Sequence, residues 1–387
     1  MDEAAVLAAV EQAEREPLLG HRIAPVRAAI DAAAALLDQV ADQVADQVAV
    51  PALRARVLLR LASVKLAEQD YEGADQALDA VGRHVPEAVE LRFLCGVRAC
   101  RVAIRRGAGP RRFARETLLA VAERLDAFET TGPAWEAVTT EVALAIAELA
   151  LHDDEADPSA FEPIAAITAG FATDPSRADL VFAGEHLVAA FAIQLADPER
   201  AARALRNAVR IAKSVNSPRD EIESRLALAS VLAAVGDPIA LEEATRTAQI
   251  ARERALEHQL ADLAAAALVA QAGVLAANGK TAHAIDRVLE LAQLAVANRD
   301  VQQYVAAVAI MAELYAKSGD YVSAFRTIAE SHRALASATK DDPVELFRPL
   351  LARLRDQVGP ERLDKIAADV ARANELAGQS APAGSLS

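Results

Sequence analysis

The sequence predicts an all-α fold, an α-solenoid of about seven helix-turn-helix hairpins with capping helices at both ends. The stretch from Val301 to Leu335 places Tyr304, Val308, Met311, Ala312 and Tyr315 at helical spacing, breaks at Ser318-Gly319-Asp320, and resumes the period at Ala324, Phe325, Ile328 and Leu335. Such a hairpin has an apolar stripe on each helix and one partner helix, so it needs stacked neighbours to bury both. Turn signals recur near 70, 108, 155, 197, 236, 279 and 319, one for each of seven units. Composition agrees, because 53% hydrophobic residues with only 4% aromatics suit alanine-rich helices in close approach rather than a β-sandwich core.

The chain opens with a short helix over 1–20, stopped by Glu16-Pro17 and Gly20. A longer helix follows from Ile23 to Val48, where Ile23, Val26, Ile30, Ala33, Leu37, Val40 and Val44 alternate steps of three and four. That heptad stripe has two readings: the seam of a homodimer through the N-terminal helix, or a helix packed on the first hairpin. Residues 1–50 are accordingly a cap or dimerisation element, ahead of repeats over 51–340.

The first clear hairpin covers 52–86. Leu58, Leu61, Ala62 and Leu66 stripe one helix, Gln69-Asp70-Tyr71 turns the chain, Ala74, Ala77, Leu78 and Val81 stripe the next, and Pro86 closes the unit. Helices over 87–105 and 111–128 flank Gly107-Ala108-Gly109-Pro110, and helices over 134–151 and 159–172 flank the acidic run from His152 to Pro158. A pair over 176–195 and 198–214 turns at Asp197-Pro198, and the next turns at Gly236-Asp237-Pro238. Beyond Asp341-Asp342-Pro343, two charged helices over 344–357 and 360–377 suit a terminal cap spanning 341–377, and the small, polar tail 378–387 is expected to be disordered.

Tyr71, Ala74 and Pro86, then Gly279 and Ala284, then Gly319, Tyr321 and Ala324 resemble the marker residues of the tetratricopeptide repeat (TPR) family. Turn-to-turn distances of 43 residues from Gly236 to Gly279 and 40 from Gly279 to Gly319 exceed the common repeat of about 34. They are similar to its long variety, found in bacterial sensor and adaptor proteins. The resemblance implies a right-handed solenoid whose successive first helices line a concave, protein-binding groove. Carried over position by position, it puts Arg56, Leu59 and Ser63 in that groove, then His186, Ala190, Ile193 and Gln194, then Leu226, Ser230 and Ala233. Val269, Gly273 and Ala276 follow, and then Ala309, Glu313, Ala316 and Lys317.

Charge and motifs exclude several functions. A net charge of −15 and a pI near 5.0 argue against binding nucleic acid through its phosphates. No apolar run reaches the roughly 18 residues of a membrane span and the N-terminus is acidic, so no membrane insertion and a cytoplasmic location are expected. Cys95 and Cys100 stand about 140° apart around a helix and should not pair. There is no glycine-rich phosphate loop followed by Lys and Ser/Thr, and the seven histidines form no i, i+4 pair, so neither a cofactor nor a metal is expected. The acidic run near 155 lacks the alternating ligands of a calcium loop and reads as a solvated turn.

One cluster departs from the acidic background. Arg98, Arg101, Arg105, Arg106, Arg111, Arg112 and Arg115 occur with no carboxylate between the first and the last. Neutralisation by neighbouring carboxylates such as Glu68, Asp70 or Glu148 is one reading; a patch for an anionic partner, an acidic protein segment, is the other. The expected function is a non-catalytic scaffold or adaptor that binds a partner protein or helical peptide in the groove. The alternative is a regulatory sensor that binds a peptide or small ligand and controls an effector. Because the groove positions between 190 and 316 are small and apolar, an amphipathic helix fits them, and the C-terminal segment with Leu346, Leu350, Leu351 and Leu354 is a candidate occupant.

Overall fold

The computed structural model describes residues 3–15, 18, 23–41, 49–84, 89–106, 114, 116–118, 120–121, 133–151, 164, 177–338 and 343–379. Among them are sixteen α-helices and no strand, so the fold is all-α. The chain divides into two compact units, Met1–Val231 and Leu232–Ser387.

The first unit contains α1 (Glu3–Arg15), α2 (Ile23–Ala41), α3 (Ala49–Ala67), α4 (Tyr71–His84), α5 (Val89–Arg106), α6 (Pro133–Ala150), α7 (Ala178–Gln194) and α8 (Pro198–Ser214), with most of α9 (Pro218–Val235). The second contains α10 (Pro238–Glu257), α11 (Ala261–Ala277), α12 (Thr281–Asn298), α13 (Val301–Lys317), α14 (Tyr321–Ala338), α15 (Val344–Val358) and α16 (Pro360–Gln379). Within each unit helices pack largely on their sequence neighbours, and α3 also meets α5, the first helix of the next hairpin. This is solenoid packing: each layer is covered by the one after it.

The turns share one backbone device. A residue in the left-handed region ends the helix and the following residue starts the next one: Gln69, Ala196, Asn216, Gly236, Gln259, Gly279, Arg299 and Gly319 all have φ between 53° and 83°. At Ala196 the amide donates to the Ile193 carbonyl and the Asp197 amide to that of Ala192, the paired bonds that satisfy the last carbonyls of α7. Asp197, Asp237, Asp300 and Asp320 then cap the next helix by accepting from the amide three residues on, at 2.9 to 3.0 Å. Pro198, Pro218 and Pro238 occupy the first helical position, where no amide is needed. From Ala196 to Gly319 the left-handed residues fall 20 apart except for 23 between Gly236 and Gln259. The excess lies in α10, which has 20 residues where its neighbours have 17 or 18. The uneven 43- and 40-residue spacings in the sequence therefore come from one longer helix.

Four expectations are corrected or bounded. Val26, Ile30, Ala33 and Leu37 are at most 2% exposed and pack with Val6, Val10, Leu53 and Val57 of α1 and α3, so these four positions of the heptad stripe are covered within the chain. Leu59 and Ala316, assigned to the groove, are buried instead, because each joins an interior cluster. Much of the second helices expected over 111–128 and 159–172, together with Val44 and residues 380–387, lies outside the described residues, while α16 runs on to Gln379. Cys95 and Cys100 are free thiols.

At the C-terminal end, Phe347 and Leu354 of α15 and Leu363 of α16 are buried in the same cluster as Ala324 and Ile328 of α14. Leu346, Leu350 and Leu351 pack at its margin. Arg362 stacks over the Tyr321 ring at 5.2 Å, closing the other side of α14.

Candidate functional site

Two surfaces stand out, one in each unit. In the first unit, α5 carries Arg98, Arg101 and Arg105 at steps of three and four, a single helical face. On α6, Glu141 and Glu148 lie seven residues apart, two turns, in an otherwise apolar run. The two spacings interlock as a ladder. Arg98 Nε and Nη2 donate to Glu141 at 3.1 and 2.5 Å, Arg101 lies 3.5 Å from Glu141 and bonds Glu148, and Arg105 Nη2 donates to Glu148 at 2.6 Å. Arg98 Nη1 also donates to the Leu59 carbonyl at 2.5 Å. Burial opposes ionisation of Glu148, but Arg101 and then Arg105 overcome it and hold its carboxyl down to about 2. Glu141 is likewise held below the usual range by Arg98 and Arg101 against the cost of burial.

Beside the ladder is a cleft of 140 Å³, lined from α3, α4, α5, α6 and α7 together with Leu18. Arg60 enters it from α3; its Nε donates to the Ala13 carbonyl at 3.1 Å and a terminal nitrogen lies 3.6 Å from Asp179. Burial, with Arg98 adding repulsion, lowers the Arg60 pKa despite Asp179. Of the seven arginines read as a patch, Arg98, Arg101 and Arg105 thus meet carboxylates within the chain and Arg106 pairs with Asp75 at 3.1 Å; Arg111, Arg112 and Arg115 lie outside the described residues. Glu148 was legible as a neutraliser from its charge. Arg60, Glu141 and Asp179 were not, although two glutamates seven apart in an apolar helix were a signal.

The eleven residues placed in the groove on both α7–α9 and α11–α13 all keep some exposure. In the first unit Ile193 is 54% exposed, Gln194 donates to the Leu151 carbonyl at 3.0 Å, and Ala190, Leu226 and Ser230 are exposed or half-buried. His186 differs: its Nε2 is 2.9 Å from Ser224 Oγ and its ring lies 4.6 Å from that of Phe182. Burial pushes its pKa down to about 4. Ser224 is fully buried, so this histidine–serine contact offers no nucleophile to a substrate.

In the second unit, the exposed stripe of α11 starts at Asp262 and is small and apolar from there on. Ala266, Val269, Gly273 and Ala277 are exposed at helical spacing, with Ala276 beside them half-buried. A Cβ at Gly273 would meet nothing within 4 Å. Along α13, Ala306 is exposed and Ala309 and Ile310 are half-buried. The helix then ends in charge: Glu313 accepts from Lys317 at 2.8 Å and lies 3.8 Å from Arg353 of α15. Among the described residues no group of His, Cys, Asp and Glu is arranged to hold a metal ion, and no helix is long and apolar enough to cross a membrane.

Neither a protein-family model nor a curated protein sequence matches the chain. Solved structures do. A signal transduction ATPase with numerous domains (STAND) from Pyrococcus horikoshii, with a tetratricopeptide repeat sensor, aligns over 79% of this chain at 14% identity and a TM-score of 0.55. This chain spans 46% of that protein's length. The apo form of RapI aligns over 84% of this chain and 92% of its own at 11% identity and a TM-score of 0.58. At such identities the likeness is one of fold, a TPR-like helical repeat.

Proposed function

We propose that this chain is a non-catalytic interaction scaffold that binds an amphipathic helix of a partner protein against the exposed face of its first helices. The observation that carries the reading is the face of α11, where Ala266, Val269 and Gly273 stand open to solvent beyond Asp262 in the first turn. Small residues let a second backbone approach closely, and a partner's apolar stripe would remove that surface from water at about 25 cal/mol per Å². Glu313 and Lys317 at the end of α13, with Arg353 of α15, would fix the register of the helix through its polar rim. The experiment is affinity capture with wild type and Gly273→Leu in parallel. The bulkier side chain fills the open space and should abolish binding without loss of helix.

A second reading is a regulatory sensor, in which occupancy of the face controls an effector. It is favoured by the contact of Arg353 with Glu313, because α15 thereby touches a residue of the proposed binding face. Small-angle scattering with and without ligand separates the two. A sensor compacts on binding, and a plain scaffold does not.

A further inference from the structure

The contact between His186 of α7 and Ser224 of α9, both in the first unit, fixes more than the position of a ring. Ser224 is fully buried, and its Oγ meets one polar partner among the described residues, His186 Nε2 at 2.9 Å. Were the imidazole to donate, the serine hydrogen would be left without an acceptor in a place closed to water, which folded proteins avoid. The satisfied arrangement has the Ser224 hydroxyl donating to Nε2. A neutral imidazole whose Nε2 accepts carries its hydrogen on Nδ1, so buried Ser224 sets the tautomer of His186.

That Nδ1–H has no acceptor among the described residues. Within them the sealed side-chain polar atoms that lack a partner are Gln271 Oε1 and Gln303 Oε1, so the His186 nitrogen reaches solvent. Its setting is apolar. The ring lies 4.6 Å from that of Phe182, Ala183 and Ala190 stand a turn away on either side along α7, and Leu226 and Ala227 follow soon after Ser224 on α9. The charged neighbours in sequence are engaged elsewhere: Glu185 accepts from Asn207 at 3.1 Å, and Arg225 donates to Glu221 at 2.9 Å. Burial alone holds the ring down to about 4, with no charged group contributing, so at neutral pH it is an uncharged donor.

An N–H that touches water from an apolar surface discriminates between partners. When a helix covers it the water leaves, and only a helix that presents an acceptor at that point restores the hydrogen bond. A site built around a donor rejects a ligand lacking the acceptor far more strongly than an apolar pocket rejects a poor fit. The main-chain carbonyls in the body of a partner helix are already used within it, so the acceptor has to come from a side chain. An uncharged donor with no cation beside it suits a neutral amide better than a carboxylate. We propose that His186 is a specificity-determining residue, its Nδ1–H donating to the side-chain carbonyl of an Asn or Gln on the helix bound by the first helices. The inference rests on the scaffold reading and adds which helix that scaffold accepts.

Two measurements on the full chain test it. Proton–nitrogen correlation spectra of histidine-labelled protein at neutral pH should show His186, assigned by its absence in His186→Phe, with its hydrogen on Nδ1, and Ser224→Ala should mix the tautomers. A hydrogen on Nε2 in wild type overturns the assignment. The second measurement is selection from a displayed library of amphipathic helices, randomised along the apolar face, against wild type, Ser224→Ala and His186→Phe. Wild type should enrich Asn or Gln at one position of that face about tenfold over either variant. Unchanged composition, or enrichment of Asp and Glu instead, overturns the role of His186 and leaves the scaffold reading in place, whereas a library with no binder to wild type overturns both. Thermal melts check folding, and Ser224→Ala alone decides if His186→Phe does not fold.

Discussion

Arg101 grips Glu148 through two hydrogen bonds, Nε to Oε2 at 3.2 Å and Nη2 to Oε1 at 2.7 Å, in a setting where neither side chain is more than 11% exposed. A buried pair of this kind repays its desolvation only while both members are present. Removing one leaves an uncompensated charge. Glu148→Ala should therefore cost about 3–5 kcal/mol, whereas Arg101→Met combined with Glu148→Leu should cost much less, because Arg105 can turn to solvent. Urea denaturation of the two variants and wild type measures this. Equal losses would show that packing, not charge, dominates the ladder.

Acid should unfold the protein in two stages. His186, held down to about 4 from its ordinary 6.5, stays neutral in the fold while the unfolded chain takes up a proton, so stability declines as pH falls from 6.5 towards 4. Glu148, held to about 2 against 4.5, contributes fully above 4.5 and loses its contribution as pH falls towards 2. His186→Gln should flatten the melting temperature between pH 6.5 and 4 and leave the lower stage in place. A wild-type profile that is already flat in that window contradicts the burial of His186.

Ala196 sits at φ 54° with a Cβ that the left-handed region penalises. The penalty of about 1–2 kcal/mol exceeds the roughly 0.4–1 kcal/mol that a glycine adds to the entropy of the unfolded chain. Ala196→Gly should accordingly stabilise the fold by about 0.5–1 kcal/mol. Differential scanning calorimetry checks the sign.

These positions also explain what the sequence could and could not reveal. The hairpin from Val301 to Leu335 was legible because Gly319 marks its turn and Val308, Met311, Ala324 and Ile328 keep the helical period; all four are buried. Turns at Asn216, Gln259 and Arg299 use the same backbone without a glycine, so the hairpin turns near 236, 279 and 319 stood out while these alternate ones did not. The heptads of α2 were real, but spacing alone cannot say whether Ile30 faces α1 and α3 or a second chain. Pairing between Arg98 and Glu141 spans 43 residues, a distance no local pattern records. Position-by-position transfer named Val269 and Gly273, which are exposed, but also Leu59 and Ala316, which turn inward.

Phe347 is 1% exposed and ties α15 to α14 through Ile328. Ending the chain after Asp342 should uncover that cluster and raise the fluorescence of a hydrophobic dye, and Phe347→Ala should cost about 3–5 kcal/mol. If truncation changes neither dye binding nor solubility, α15 is not the cover that its packing implies.

The scaffold reading stands or falls on Gly273. Its Cβ position is open, and replacing a glycine within a helix by leucine removes a penalty of roughly 0.5–1 kcal/mol, so Gly273→Leu should fold at least as well as wild type. The decisive measurement is quantitative capture from native extract by wild type and Gly273→Leu at matched helicity. A partner retained by wild type and lost with the variant is the predicted result; an identical set of partners at identical yield would contradict recognition along α11.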